Sequence, residues 1–101
     1  MAEKIVWLRA AVADLEAIVQ YISLSSPDYA AIVAQAVLDG AEDLLRFPHI
    51  GPRVPEWDRD DLRQRLVYNY RLIYRIVGQR IEILSIIHGA RTLPDAHKDR
   101  S

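Results

Sequence analysis

The chain has no cysteine, and only one methionine, one phenylalanine, four glycines and two lysines. Without cysteine it can form neither a disulfide framework nor a thiolate metal site. Its three histidines are scattered, with no spacing that suggests zinc, so no metal or cofactor is expected. No apolar run approaches the roughly 18 residues that a membrane span needs. The N-terminus, MAEKIVWLRAAVADLE, lacks a basic region followed by an uninterrupted apolar stretch. Together these absences predict a cytoplasmic protein. No repeat or low-complexity segment is present.

What remains is the balance of one ordinary globular domain: 101 residues, half of them apolar and 27% charged. The net charge of −1 hides an asymmetry. Residues 1–62 hold five basic and eleven acidic side chains, while residues 63–101 hold eight basic and three acidic. A basic C-terminal half suits an acidic partner or a phosphate backbone; alternatively, the two halves neutralise each other in the fold. Seven arginines and no lysine lie between residues 53 and 80, which favours planar, bidentate recognition of carboxylate or phosphate.

Residues 4–8, KIVWL, are β-branched and aromatic and predict a strand. From about Ala10, Ala11, Leu15, Ile18, Val19 and Ile22 recur at helical spacing, predicting an amphipathic helix to about Ser25. Ser26 then offers an N-cap, Pro27 a first helical position and Asp28 an acid at the positive end of the dipole. A second apolar stripe, Ile32, Val33, Ala36, Val37, Ala41, Leu44 and Leu45, predicts a helix to about Phe47. Gly40 within it suggests close packing between the two helices, which so short a linker should fold into an antiparallel hairpin. Pro48, Gly51, Pro52 and Pro55 predict an irregular loop.

Three strands are then expected, at about 62–68, 70–77 and 80–88. Gly78-Gln79 fits a two-residue type II′ turn. Counting outward from it, Val77 faces Arg80, Arg75 faces Glu82, Ile73 faces Leu84, Arg71 faces Ile86 and Asn69 faces His88. Alternation then places Tyr70, Leu72, Tyr74, Ile76, Ile81, Ile83, Ser85 and Ile87 under the helices. The opposite face receives Arg71, Ile73, Arg75, Val77, Arg80, Glu82, Leu84, Ile86 and His88. Arg63 and Arg65 join that open face if Leu62, Gln64 and Leu66 turn toward the helices. The expected class is α+β: an N-terminal strand and an antiparallel helix hairpin packed on one face of a twisted, mainly antiparallel sheet whose last three strands form a meander. Residues 1–94 form the domain, and residues 95–101 a polar tail.

In this register Arg71 and His88 are diagonal neighbours on the open face. An arginine beside a titratable imidazole suits phosphoryl chemistry, one stabilising charge and the other moving a proton. A histidine at a strand end equally serves to close the strand, and an Arg75–Glu82 ion pair accounts for Arg75. Glu56 on the loop could act as a general base if it folds back over the sheet. Trp57 beside it could anchor a partner or close the edge of the core. Ile73, Leu84 and Ile86 on an open face would be poor residues to leave in water, so that face invites a covering segment from a partner or a target, with Arg63, Arg65, Arg71, Arg75 and Arg91 around it.

The stretches VWLRAAVADLEAIVQYI, FPHIGPRVPE, YRLIYRI and IEILSIIHGAR, in this order and spacing, resemble the RelE/ParE superfamily of bacterial toxins from type II toxin-antitoxin systems. The resemblance spans residues 4–94. It implies a small toxin held inactive by a cognate antitoxin. RelE-like and YoeB-like members are ribosome-dependent messenger RNA endonucleases, and a YoeB-like set maps onto Glu56, Arg71 and His88. ParE-like members inhibit DNA gyrase and have no established hydrolytic site. Three departures point away from the nuclease branch. The chain lacks strong basicity, it has only Lys4 and Lys98 where RelE-like members place several lysines, and Gly89 follows His88 where YoeB-like members end in an aromatic residue. The expectation is a ParE-like toxin that binds DNA gyrase, with the endoribonuclease acting on ribosome-bound messenger RNA as the alternative.

Overall fold

A computed structural model describes residues 1–93. The expected polar tail, residues 95–101, and the end of the expected domain at residue 94 lie outside the described residues. Strand β1 (Lys4–Trp7) leads into helix α1 (Arg9–Ser23) and helix α2 (Pro27–Glu42), which tightens into a 3₁₀ turn at Asp43–Leu45. After the loop come β2 (Leu62–Val67), β3 (Tyr70–Val77) and β4 (Arg80–His88). The sheet order is β1-β4-β3-β2. β1 runs parallel to β4, and β2, β3 and β4 form the antiparallel meander.

Local chemistry explains the element ends. Ser26 is extended and its hydroxyl accepts a hydrogen bond from the Tyr29 N–H, with Pro27 opening α2 and Asp28 in its first turn. Gly78 has φ +59° and Gln79 does not share the positive φ, as a type II′ turn requires. The helices cover one face of the sheet. Val33, Val37, Ala41 and Leu44 pack with Ala11, Leu72, Tyr74, Ile81, Ile83 and Ile86 in one core, with Leu15, Ile18 and Ile22 partly buried against it. Ile32, expected in the α2 stripe, is instead exposed, and Ala30 is buried. Among the described residues, no helix is long and apolar enough to cross a membrane.

Three expectations about faces are overturned. First, β4 carries an irregularity: Tyr74 pairs with Ile83, but the next residue, Ile73, pairs with Ser85, leaving Leu84 as an extra residue. Beyond this bulge the register shifts by one, which exchanges the faces. Arg71 therefore lies opposite Ile87, and His88 opposite Tyr70. Ile86 enters the helix-side core and is 3% exposed. Second, β2 is turned over. Arg63 lies opposite Tyr74 and Arg65 opposite Leu72, both core residues, so the two arginines stand on the helix side. Leu62, Gln64 and Leu66 take the other face. Third, Gly40 meets β2 rather than α1: a Cβ there would stand 3.1 Å from Val67 Cγ2 and 3.6 Å from Arg65 Nε.

The loop between α2 and β2 is fastened along the outer edge of β2. Val54 N–H donates to the Leu62 carbonyl, Gln64 N–H to the Pro52 carbonyl, and Arg53 bridges to Arg63. Tyr74, fully buried, donates its hydroxyl to the Pro48 carbonyl at 2.6 Å and accepts from the Gly51 N–H at 3.2 Å. Val54, Leu62 and Ile73 are all buried, yet none belongs to the helix-side core. Ile73 and Ile86 are thus not the exposed apolar floor expected of an open face. Leu84 is half-buried.

Candidate functional site

The meander gathers one buried cation. Arg71, on the face away from the helices, is 6% exposed. Its Nη2 and Nη1 donate to Glu56 Oε1 and Oε2 at 2.8 and 2.9 Å, a bidentate pair. Its Nε donates to Gln64 Oε1 at 2.8 Å, and Nη1 also donates to the Arg91 carbonyl at 3.0 Å. Four of the five guanidinium N–H groups are thereby used. Glu56 Oε2 in turn accepts from the Leu93 N–H at 2.9 Å. The Arg71 hydrogen bonds, helped by the Leu93 amide and opposed by burial, lower the Glu56 carboxyl to a pKa of about 2. The same pairing raises the Arg71 pKa. A carboxylate so strongly stabilised in its charged form is a poor proton acceptor near neutral pH.

This network floors an open cleft of about 600 Å³ between Pro55 and Glu56 on one side and Gly89–Thr92 on the other. Leu66, 65% exposed, stands in it.

His88 belongs to a different place. Its ring makes an edge contact with Tyr70, centroids 5.9 Å apart, and it borders a second cleft with Asp14, Ile18 and Tyr21 of α1. Its Nδ1 accepts from the Ala90 N–H at 3.2 Å, which closes the turn after the strand. Arg71 and His88 are therefore not diagonal neighbours on one face, because the bulge at Leu84 sends them to opposite sides of the sheet.

Of the other expected site residues, Arg75 pairs with Glu82, as its register position implied, and Arg80 grips the second oxygen of the same carboxylate. Arg75 first and then Arg80 hold the Glu82 carboxyl below its ordinary range. Arg63 is tied to Asp60 and to the Gly51 carbonyl. Arg65 reaches Asp43 at 3.1 Å. Trp57 is half-buried in the loop turn, its N–H donating to the Val54 carbonyl. Arg91 is exposed and borders both clefts.

Two contributors were missed at the sequence level. Gln64 orients Arg71, and its awkwardness as an expected core residue was the signal that β2 faces the other way. Asp14 accepts from the Ser85 hydroxyl and the Ile86 N–H at 2.9 and 3.0 Å, a long-range contact without a local signature. Among the described residues, no group of three His, Asp or Glu side chains is placed to hold a metal ion.

No curated protein matches the chain. Among solved structures, a chain described as "Chromosomal ParDE TA system from P. aeruginosa" is similar, with a TM-score of 0.70 at 26% identity. That alignment covers 87% of this chain and 96% of the other. The family model for the ParE toxin of the parDE type II toxin-antitoxin system matches residues 5–93. The helix hairpin on a four-stranded sheet, the loop pinned along β2 and this match over nearly the whole described chain lead to one conclusion: the protein belongs to the ParE toxin family of type II toxin-antitoxin systems.

Proposed function

We propose that this chain is a growth-inhibiting toxin that acts by binding an intracellular target, DNA gyrase, rather than by cutting RNA. The observation that carries the reading is the separation of the three residues a nuclease of this superfamily would need. Glu56 and Arg71 are bound to each other and His88 lies across the sheet. A general base must come within hydrogen-bond reach of the proton it takes, and an arginine that stabilises a phosphate needs free donors. Here the donors of Arg71 are largely spent on protein acceptors. The near-neutral net charge agrees, since binding a polyanion such as the ribosome draws on a strong excess of basic residues.

A cognate antitoxin protein would neutralise the toxin by covering its exposed apolar residues. These lie mainly on the helix hairpin and the adjacent β2-β3 turn: Tyr21, Leu24, Tyr29, Ile32, Leu38, Leu66 and Tyr68 are each more than 40% exposed. Tyr29 and Tyr68 already touch, with ring centroids 6.2 Å apart, which joins α2 to the β2-β3 turn, while Leu66 stands on the opposite face of the sheet.

Purified protein added to gyrase should inhibit supercoiling or trap cleaved DNA, and should leave ribosome-bound messenger RNA intact. No effect on gyrase, together with RNA cleavage that His88→Ala or Arg71→Ala abolishes, would replace this reading with the endoribonuclease. Expression without any slowing of growth would leave a protein that only pairs with its antitoxin.

A further inference from the structure

Residues 89–93 follow the last strand and have little to hold them. Their backbone is fixed by Gly89 N–H to the Asn69 carbonyl, Ala90 N–H to His88 Nδ1 and Arg91 N–H to the His88 carbonyl, all at the strand end. Beyond that point, among the described residues, two hydrogen bonds fasten the segment: Arg71 donates to the Arg91 carbonyl and the Leu93 N–H donates to Glu56. The loop at 55–57 is held by the same pair from its own side, through Glu56, next to Val54, whose N–H donates to the Leu62 carbonyl. One ion pair therefore ties together two chain segments that share no strand pairing with each other.

A buried ion pair is weak evidence for stability, because apolar residues of similar volume usually serve the fold as well. What it adds is direction. The guanidinium fork and the carboxylate orient three further groups at fixed angles, the Gln64 amide oxygen, the Arg91 carbonyl and the Leu93 N–H, and two of these are main-chain groups of the segment after β4. The segment it orients is itself outward-facing: Gly89, Ala90, Arg91 and Thr92 are all exposed. Gly89 also permits the close approach of this segment to the β2-β3 turn, since a Cβ there would lie 3.1 Å from the Asn69 carbonyl oxygen. Interior chemistry is thus spent on placing exposed backbone, the expected economy of a recognition surface rather than of a core.

We propose that Arg71 and Glu56 are positioning residues for target binding: their clasp holds residues 89–93 in the shape that the toxin's target recognises. This rests on the reading of the protein as a target-binding toxin. Neither side chain needs to touch the target.

The test uses the full chain and three variants that loosen the clasp by different means. Arg71→Lys keeps the charge and loses the fork. Glu56→Gln keeps the shape and loses the charge. Leu93→Pro leaves the ion pair intact and removes the N–H that Glu56 binds, while also fixing φ at 93 and restricting Thr92; Leu93→Ala, which keeps that N–H, controls for loss of the side chain. Trypsin cleavage after Arg91, read by the mass of the 1–91 fragment, reports the segment, and growth inhibition on expression reports the function whatever the target. Loss of one charge-assisted hydrogen bond should speed cleavage roughly tenfold. Growth inhibition should fall in parallel in the three variants, and further in Leu93→Pro than in Leu93→Ala, with the circular dichroism of all four unchanged.

Faster cleavage with full growth inhibition overturns the proposal, and so does unchanged cleavage in Leu93→Pro. A wild-type chain that slows growth without affecting gyrase overturns the gyrase reading alone, and the same variants still judge the clasp. A wild-type chain that does not slow growth overturns both.

Discussion

Gly51 lies against Gln64 so closely that a Cβ at position 51 would stand 2.0 Å from the Gln64 carbonyl oxygen. The obstacle is backbone in the middle of β2, not the tip of a flexible side chain, so a rotamer change cannot relieve it. Gly51→Ala must lift the loop from β2 and with it the Gln64–Pro52 and Val54–Leu62 hydrogen bonds. The expected loss is roughly 3 kcal/mol or more, within the range of severe backbone clashes. Urea unfolding would measure it, and an unchanged midpoint would mean that the loop does not sit on β2 as described.

Tyr74 is the second fastening of that loop. Its ring is fully buried, burial raises its phenol pKa, and its hydroxyl serves both Pro48 and Gly51. Tyr74→Phe keeps the ring and leaves the Pro48 carbonyl and the Gly51 N–H without this partner. The expected cost is about 1–3 kcal/mol, the usual penalty for unsatisfied buried groups. Thermal unfolding at neutral pH checks it; a Phe variant as stable as wild type would show that water replaces the hydroxyl at no cost.

These fastenings also show what the sequence could and could not reveal. The elements, the Ser26 cap and the Gly78 turn were legible because each has a local cause. Register was legible near that turn, which is why the Arg75–Glu82 pair was anticipated. It was lost beyond Leu84, because Leu84, Ile86 and Ile87 are apolar at both phases of the alternation and nothing in the run pins which face is buried. β2 misled for the opposite reason. Arg63 and Arg65 look like solvent residues, yet they stand on the helix side with their charged ends at Asp60, Gly51 and Asp43. Glu56 and Arg71 were each picked out singly, as site residues; that they bind each other depends on the path of the loop, which its prolines and glycine leave open.

The clasp has a pH signature. Glu56 is lowered in the folded chain from its ordinary 4.5 to about 2, chiefly by Arg71. A depressed carboxyl pKa contributes stability that is fully present above the unfolded value and is lost as pH falls through the folded one. Glu56→Gln should therefore be less stable than wild type at pH 6. The difference should narrow between about pH 4.5 and pH 2, as wild type loses what the variant never had. Urea titrations of both proteins across that window check the sign, and a gap that is constant with pH would show that Glu56 is not ionised against Arg71.

The end of β1 creates a different demand. β1 pairs with β4 only as far as Trp7 opposite Ile83, with Leu8 N–H closing on the Ile83 carbonyl. Beyond it the β4 edge turns its Ile86 N–H outward, and a bare edge amide costs stability or invites another strand. Asp14, reaching from α1, accepts that N–H and the Ser85 hydroxyl on one oxygen, so helix and sheet edge are joined just after the bulge. Asp14→Ala should lose roughly 1–3 kcal/mol, because the acceptor serves two donors in a partly buried place. Asp14→Asn, which retains an acceptor, should lose less. Hydrogen exchange gives the local readout: the Ile86 amide should exchange faster in Asp14→Ala, while the Ile81 amide, in the part of β4 that pairs with β1, should keep its protection apart from any change in global stability. Equal acceleration at both amides would show that Asp14 supports the whole sheet rather than the edge that β1 leaves uncovered.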